Sequence, residues 1–185
     1  MSSGNQIMKR LLLHTCCAPC STAVLEHLAG QYEITGYFYN PNIHPEDEFR
    51  MRLDEAREFY GRRGIPLIDE EYEQEKWLEL VAGHEQDPER GERCTICYRM
   101  RLEKTAKSAR TLGFDIFATV LSISPHKDAK RINALGNEIA DRVGIPFLTA
   151  DFKKKDGYKR SVEISQKEGL YRQSYCGCIY SRPGG

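Results

Sequence analysis

The sequence predicts an α/β protein with a five-stranded, mostly parallel sheet and helices on both faces. Three observations carry this. Short apolar or β-branched runs alternate with stretches of helical period. Glycine, proline or asparagine stands at most junctions between them. Alternation of strand and helix joins neighbouring strands by crossovers, which leaves them parallel and sandwiched between helices.

Residues 11–13, entered from Met8, form an apolar run too short for a helix and suited to a buried strand. Ser21 is expected to open a helix that carries Val24, Leu25 and Leu28 and closes at Gly30. Residues 34–39 are rich in β-branched and aromatic side chains and give the second strand, ended by Asn40, Pro41 and Asn42. Pro45 starts a helix with Phe49, Leu53, Ala56 and Tyr60 on one face; Gly61 and Gly64 end it. Residues 66–68 supply a third strand, and residues 73–82 an acidic helix around Trp77. Residues 94–112 keep Tyr98, Leu102, Ala106 and Ala109 in helical register, with Gly113 beyond the last turn. Strand four is expected at residues 116–121. Ala129, Ile132, Leu135, Ile139 and Val143 mark the next helix, residues 145–148 strand five, and residues 161–167 a last helix.

At 185 residues the chain suits one domain, expected over residues 8–181 with loose termini at 1–7 and 182–185. Its 27 basic and 27 acidic side chains cancel, which excludes binding to nucleic acid by net charge alone. No window approaches the ~18 apolar residues of a membrane span, and the N-terminus lacks the apolar run of an export signal. A cytoplasmic protein with no membrane partner is expected. The balance hides an asymmetry: residues 69–89 hold nine acids against Lys76, whereas residues 152–172 hold seven bases against three acids. Such runs are often no more than solvated faces.

Seven cysteines in a reducing compartment point to chemistry or metal binding rather than to structural disulfides. They fall into three groups: Cys16, Cys17 and Cys20; Cys94 and Cys97; Cys176 and Cys178. Cys17 and Cys20, like Cys94 and Cys97, have the two-residue gap that lets one turn aim two sulfurs at one metal. Both pairs stand where helices begin, and a helix N-terminus favours the thiolate. The gap of 73 residues between Cys20 and Cys94 far exceeds the ~15–20 of a zinc ribbon, so distant parts of a domain converge on the metal. An all-sulfur set favours an iron–sulfur cluster over zinc. His14, at the end of strand one, reads as a hydrogen-bonded neighbour of the site rather than a ligand. Cys176 and Cys178, with one residue between them, can close a small, labile disulfide or serve as two more ligands. In a parallel sheet ligands bind beyond the carboxyl ends of the strands, where residues 14–20, 122–127 and 151–155 all fall.

These segments carry a resemblance. Residues 11–21 (LLLHTCCAPCS), 37–45 (YFYNPNIHP), 94–102 (CTICYRMRL), 122–127 (SISPHK) and 175–181 (YCGCIYS) resemble, in the same order, the cobalamin-independent epoxyqueuosine reductases. The likeness spans nearly the whole chain. It implies an adenine-nucleotide-hydrolase-like α/β fold. It also implies reduction of the epoxide of epoxyqueuosine at the tRNA wobble position, the last step of queuosine synthesis, with a [4Fe-4S] cluster and no cobalamin. Position by position it implies cluster ligation by Cys16, Cys17, Cys94 and Cys97 and a redox-active pair at Cys176 and Cys178. Cys20 is left to one additional iron or to a nearby thiol. ATP is not expected, because the loop after strand one has no glycine and Pro19 removes a backbone donor.

Removing the epoxide oxygen to leave an alkene takes two electrons and two protons. A cluster that cycles singly needs a second electron store, which the Cys176–Cys178 dithiol would supply, and an electron donor the sequence does not name. Protons are assigned to His126 first, then Lys127 or Tyr175. A tRNA substrate calls for phosphate contacts and aromatic faces. Lys153, Lys154, Lys155, Tyr158, Lys159 and Arg160 are the expected docking surface, joined by Arg99 and Arg101, with the acidic segment 69–89 turned away. Two rival readings are an ATP-dependent tRNA thiolase and a non-catalytic iron–sulfur RNA-binding module.

Overall fold

Leu11, Leu12 and Leu13 have no exposed surface because their strand lies inside the sheet and is covered on both faces. The computed structural model describes residues 8–182. Of the loose ends expected at 1–7 and 182–185, all but Arg182 lie outside the described residues; the Arg182 N–H donates to the Ile179 carbonyl at 3.4 Å. Four strands, β1 (Lys9–His14), β2 (Tyr32–Phe38), β3 (Leu67–Asp69) and β4 (Ile116–Thr119), form a parallel sheet in the order β3-β2-β1-β4. Among the described residues the α-helices are α1 (Ala18–Leu28), α2 (Glu46–Arg62), α3 (Gln74–Leu80), α4 (Glu92–Thr111), α5 (Ala129–Val143) and α6 (Gly157–Lys167). Helix α1 packs with α2 and α6, and α4 packs with α5. Right-handed crossovers put these two groups on opposite faces of the sheet.

The expected fifth strand is not one. Of residues 145–148 only Phe147 bridges the sheet, beside Phe117. The Phe117 N–H donates to the Pro146 carbonyl (3.0 Å) and the Leu148 N–H to the Phe117 carbonyl (2.9 Å). Pairing stops there because Pro146 has no N–H and β4 itself ends at Thr119. Strand four is correspondingly shorter than expected: Thr119 Oγ1 accepts from the Leu121 N–H and starts a 3₁₀ turn, Val120–Ile123.

Three helices begin earlier than the sequence suggests; α6 starts at Gly157 rather than Ser161. Helix α1 starts at Ala18, not Ser21, with Pro19 in its first turn, where the missing N–H costs nothing. Cys20 is therefore inside the helix. Helix α4 starts at Glu92, which places Cys94 and Cys97 within its first two turns.

Helix α5 packs closely on residue 147: a Cβ at Gly136 would stand 2.3 Å from the Phe147 ring, itself held against Phe117 at a centroid distance of 5.0 Å. Gly136→Ala would gain up to about 1 kcal/mol of helix propensity. Overpacking costs about 1–3 kcal/mol, and the clamped ring cannot yield cheaply. We expect a net loss, read as a Tm lower by about 2–6 °C; an unchanged or higher Tm would show that the ring moves freely.

The topology also fixes where a ligand can sit. The chain leaves β1 towards β2 on one side and returns to β4 on the other, so a crevice opens beyond the carboxyl end of β1. Among the described residues no helix is long and apolar enough to cross a membrane.

Candidate metal centre

Three thiols meet at that crevice. Cys16 and Cys17 lie in the loop after β1 and Cys20 in the first turn of α1, and their sulfurs all fall within 4.8 Å of one another. The Cys16 and Cys17 sulfurs are 3.8 Å apart. The loop is held from the sheet side. The Thr15 N–H donates to the Tyr37 carbonyl (2.9 Å), and Asn40 Nδ2 donates to the Thr15 carbonyl (2.9 Å). His14 is buried with both ring nitrogens engaged, by Thr119 Oγ1 (2.9 Å) and the Tyr39 carbonyl (3.1 Å). Burial, then the Arg101 charge, push its pKa down to about 4, so it is neutral. It braces β1 against its neighbours.

Charge is unevenly shared among the three thiols. Hydrogen bonds from Cys17 and Cys20 hold the Cys16 thiol well below the usual range. Burial pushes Cys17 up to about 12. The hydrogen bond to Cys16 is the largest influence raising Cys20. Gln173 Nε2 donates to the Cys17 sulfur at 3.0 Å.

The other four cysteines line an adjoining cavity of about 40 Å³: Cys94 and Cys97 from α4, Cys176 and Cys178 from the C-terminal segment. Cys94 and Cys97 are thus not in the tight three-thiol group, and the sulfurs drawn closest to Cys16 and Cys17 include Cys20. Cys176 is held well below the ordinary thiol range, first by the hydrogen bond from Cys178, whose own pKa rises in consequence. Ser181 Oγ stands 3.1 Å from the Cys176 sulfur. Buried polar atoms of Asn42 (Oδ1) and Trp77 (Nε1), two residues that line this cavity, have no protein partner.

Two cations stand between the thiol groups. Burial lowers the Lys127 pKa, but the nearby Cys16 and Cys176 thiolates outweigh it and keep the ammonium charged. Arg101 lies near Cys97, Cys16 and Cys176 and is only 3 % exposed. This corrects its expected RNA role: Arg101 falls one turn after Cys97, on the same buried helix face, and donates to the Cys97 carbonyl at 3.2 Å. Arg99 points outward and pairs with Glu138 at 2.6 Å.

A larger cavity, about 250 Å³, opens beside the centre. Cys20, Lys127 and Cys176 line it together with His126, Tyr158, Arg172 and Glu89. His126 is exposed at its rim, whereas the Lys127 ammonium is the one near the thiols. Glu89 lines both cavities, so the acidic segment does not turn away along its whole length. Lys154, Lys155 and Lys159 are exposed. Lys153 is tied to Asp151 (3.6 Å) and the Lys127 carbonyl (3.3 Å), and Arg160 forms two 2.8 Å bonds to Glu26. Sequence reasoning missed Asn42, Trp77, Gln173 and Arg52. Only Asn42 carried a signal, standing in a polar turn at the carboxyl end of a strand.

Seven thiols, the buried Arg101 and the half-buried Lys127, gathered at the switch point of a parallel sheet, define an α/β protein whose sulfur set can hold a metal. The chain belongs to the family described as Epoxyqueuosine reductase QueH, which it matches over residues 11–183. Proteins of that name from Streptococcus pyogenes serotype M1 and Haemophilus influenzae are 44% and 45% identical to it. The alignments cover 92% and 93% of this chain and 69% and 71% of theirs. The namesake from Thermotoga maritima is 33% identical over 94% of this chain and 91% of its own. A solved structure described as a predicted subunit of tRNA methyltransferase from Methanocaldococcus jannaschii shares the fold. Its TM-score is 0.50 at 16% identity, covering 86% of this chain and 89% of that one.

Proposed function

We propose that this chain reduces the epoxide of epoxyqueuosine in tRNA to the alkene of queuosine, as a single cytoplasmic domain over residues 8–181. The observation that carries the reading is Lys127, a cation near thiols of both groups at the floor of an open 250 Å³ cavity, in a member of this family. The all-sulfur donors fit a [4Fe-4S] cluster held by Cys16, Cys17, Cys94 and Cys97, with Cys20 available to one further iron. A bound cluster supplies electrons singly. The loop after β1 lacks the glycines of a phosphate cradle, so no ATP is assigned within this adenine-nucleotide-hydrolase-like fold.

The chain's own residues close the balance. Two electrons and two protons convert epoxide to alkene and water. Oxidation of the Cys176–Cys178 pair, one thiolate and one thiol, to a disulfide releases two electrons and one proton; Lys127 gives the second proton and regains it from solvent, and an external donor of two electrons, with a proton from solvent, restores the pair. Cys176 is the thiolate of the pair and Cys178 its proton-bearing partner. Lys127 holds a proton beside the cavity and is placed to protonate the departing oxygen, a role we now give it ahead of His126. The cavity admits a base splayed out of the anticodon loop, with Tyr158 offering a face for stacking.

The direct test is anaerobic incubation with tRNA bearing epoxyqueuosine and a chemical reductant. The modified nucleoside should lose the mass of one oxygen, without ATP; gain of sulfur or release of phosphate would support a thiolase instead. Lys127→Met should lower kcat by about 10²-fold or more with iron content unchanged. Unimpaired turnover in that variant would return the proton to His126.

Docking of tRNA is proposed on the exposed lysines beside the cavity. Lys153, Lys154 and Lys155 changed together to Gln should weaken binding and flatten its salt dependence. Each lost phosphate contact removes roughly 0.7–0.9 from the slope of log K against log salt. Because Lys153 is already held by Asp151, the expected change corresponds to about two contacts rather than three. An unchanged slope would move the docking surface to the arginines of residues 46–63.

A further inference from the structure

The segment carrying Cys176 and Cys178 is an irregular strap laid over the loop after β2, and one buried side chain, Arg52, grips its backbone at two adjacent carbonyls. Arg52, on α2, is fully covered: its side chain is 1 % exposed. Its guanidinium donates to the carbonyls of Tyr175 (3.2 Å) and Cys176 (3.2 Å) and lies 5.3 Å from the Tyr175 ring centroid. Glu48, one turn earlier on α2, balances the charge, accepting from Arg52 Nε at 2.7 Å.

The strap is fitted to this clamp. Gly177 has φ +108°, and a Cβ there would stand 2.8 Å from Ile43 Cγ1 and 3.3 Å from an Arg52 nitrogen. The Gly177 carbonyl accepts from the His44 N–H at 2.8 Å, and the Tyr175 hydroxyl donates to the His44 carbonyl. The Cys17 thiol is among the groups close enough to Arg52 to influence it. One buried cation therefore touches the strap and lies beside the thiol loop as well.

We infer that Arg52 is a positioning residue for Cys176: its paired guanidinium fixes the backbone that sets where the Cys176 sulfur stands relative to Cys16 and Cys17. The physical case is a comparison of bond types. The strap has no regular secondary structure between residues 168 and 178 to hold it. Two charge-assisted bonds from a desolvated fork are roughly twice as strong as neutral ones, and lysine cannot supply the fork. Glu48 keeps the buried charge from being uncompensated. The catalytic consequence rests on the redox role proposed above for Cys176; the positional claim does not.

The test uses the full chain, purified anaerobically and reduced, as wild type, Arg52→Lys and Glu48→Gln. Native-state alkylation of each cysteine by iodoacetamide is followed by peptide mass spectrometry, with Cys20 as the internal reference. In Arg52→Lys the Cys176 rate should rise by about tenfold or more while the Cys20 rate stays within about twofold. In turnover, kcat should fall by about tenfold with KM for tRNA unchanged, because Arg52 is buried away from substrate. Glu48→Gln should move Cys176 the same way by a smaller factor, and it decides the matter if Arg52→Lys does not fold. An unchanged Cys176 rate in a folded variant overturns the inference. So does an equal rise at Cys20, which would mean general loosening. If the wild type shows no reduction of tRNA at all, the functional reading fails while the alkylation result still judges Arg52.

Discussion

Alanine at Cys16, Cys17, Cys94 or Cys97 is expected to strip iron and colour from the anaerobically purified protein, in each case to a small fraction of the wild-type content. The four proposed ligands come in two pairs from opposite parts of the fold, one at the mouth of β1 and one at the start of α4. Each single substitution leaves three sulfurs where four hold such a cluster. The geometry adds a discriminating variant. Cys20 shares the tight thiol group with Cys16 and Cys17, whereas Cys94 and Cys97 stand apart from it. If the proposed set is right, Cys20→Ala keeps the cluster's visible absorption and loses at most one iron per chain; loss of the cluster in that variant would make Cys20 a ligand, as the grouping of the three thiols suggests. Iron and sulfide analysis on all five variants settles the set. Full iron retention in any two of the four would sink the assignment, and stoichiometric zinc in the wild type would sink the cluster itself.

Serine at Cys176 or Cys178 should do the opposite: iron stays near normal and multiple turnover falls by about 10³-fold or more. The two sulfurs share one proton, with Cys176 the thiolate and Cys178 the donor, which is the resting form of a dithiol ready to oxidise. Gly177 between them supplies a backbone that other residues rarely adopt. Mass spectrometry of oxidised wild type should find the peptide spanning both residues lighter by two hydrogens. Should the serine variants lose iron, these two cysteines are ligands and one of the four above is not. Normal turnover would mean that the electrons reach the epoxide without this dithiol.

Much of the fold was legible because β1, β2 and β4 are buried strands and α2, α4 and α5 are amphipathic, so period and punctuation agree. What failed depended on tertiary partners. Phe147 meets a neighbouring strand that turns away, which no local pattern reveals. Helix α1 begins at Ala18 because proline fits a first turn, while Ser21 looked the better cap; its hydroxyl instead bonds the Cys17 carbonyl at 3.0 Å. For the site, cysteine spacing identified every thiol that gathers there. The buried cations were misread or missed: from the sequence Arg101 reads as part of the RNA surface, and Arg52 draws no role of its own. Charge alone cannot tell a solvated arginine from one that a helix face carries inward.

The thiols that meet beside Lys127 lie far apart in the sequence, and this orders events during synthesis. Cys16, Cys17 and Cys20 leave the ribosome well before Cys176 and Cys178 and travel with the growing chain. Until then the N-terminal thiols lack both the strap that covers them and Gln173, which bonds Cys17. A nascent chain thus presents a reactive trio to oxidants and stray metals, and can close its centre only after residues 173–178 have emerged. Expression in a host starved of iron should therefore yield chains cross-linked or mismetallated at residues 16–20 before any damage at residues 176–178.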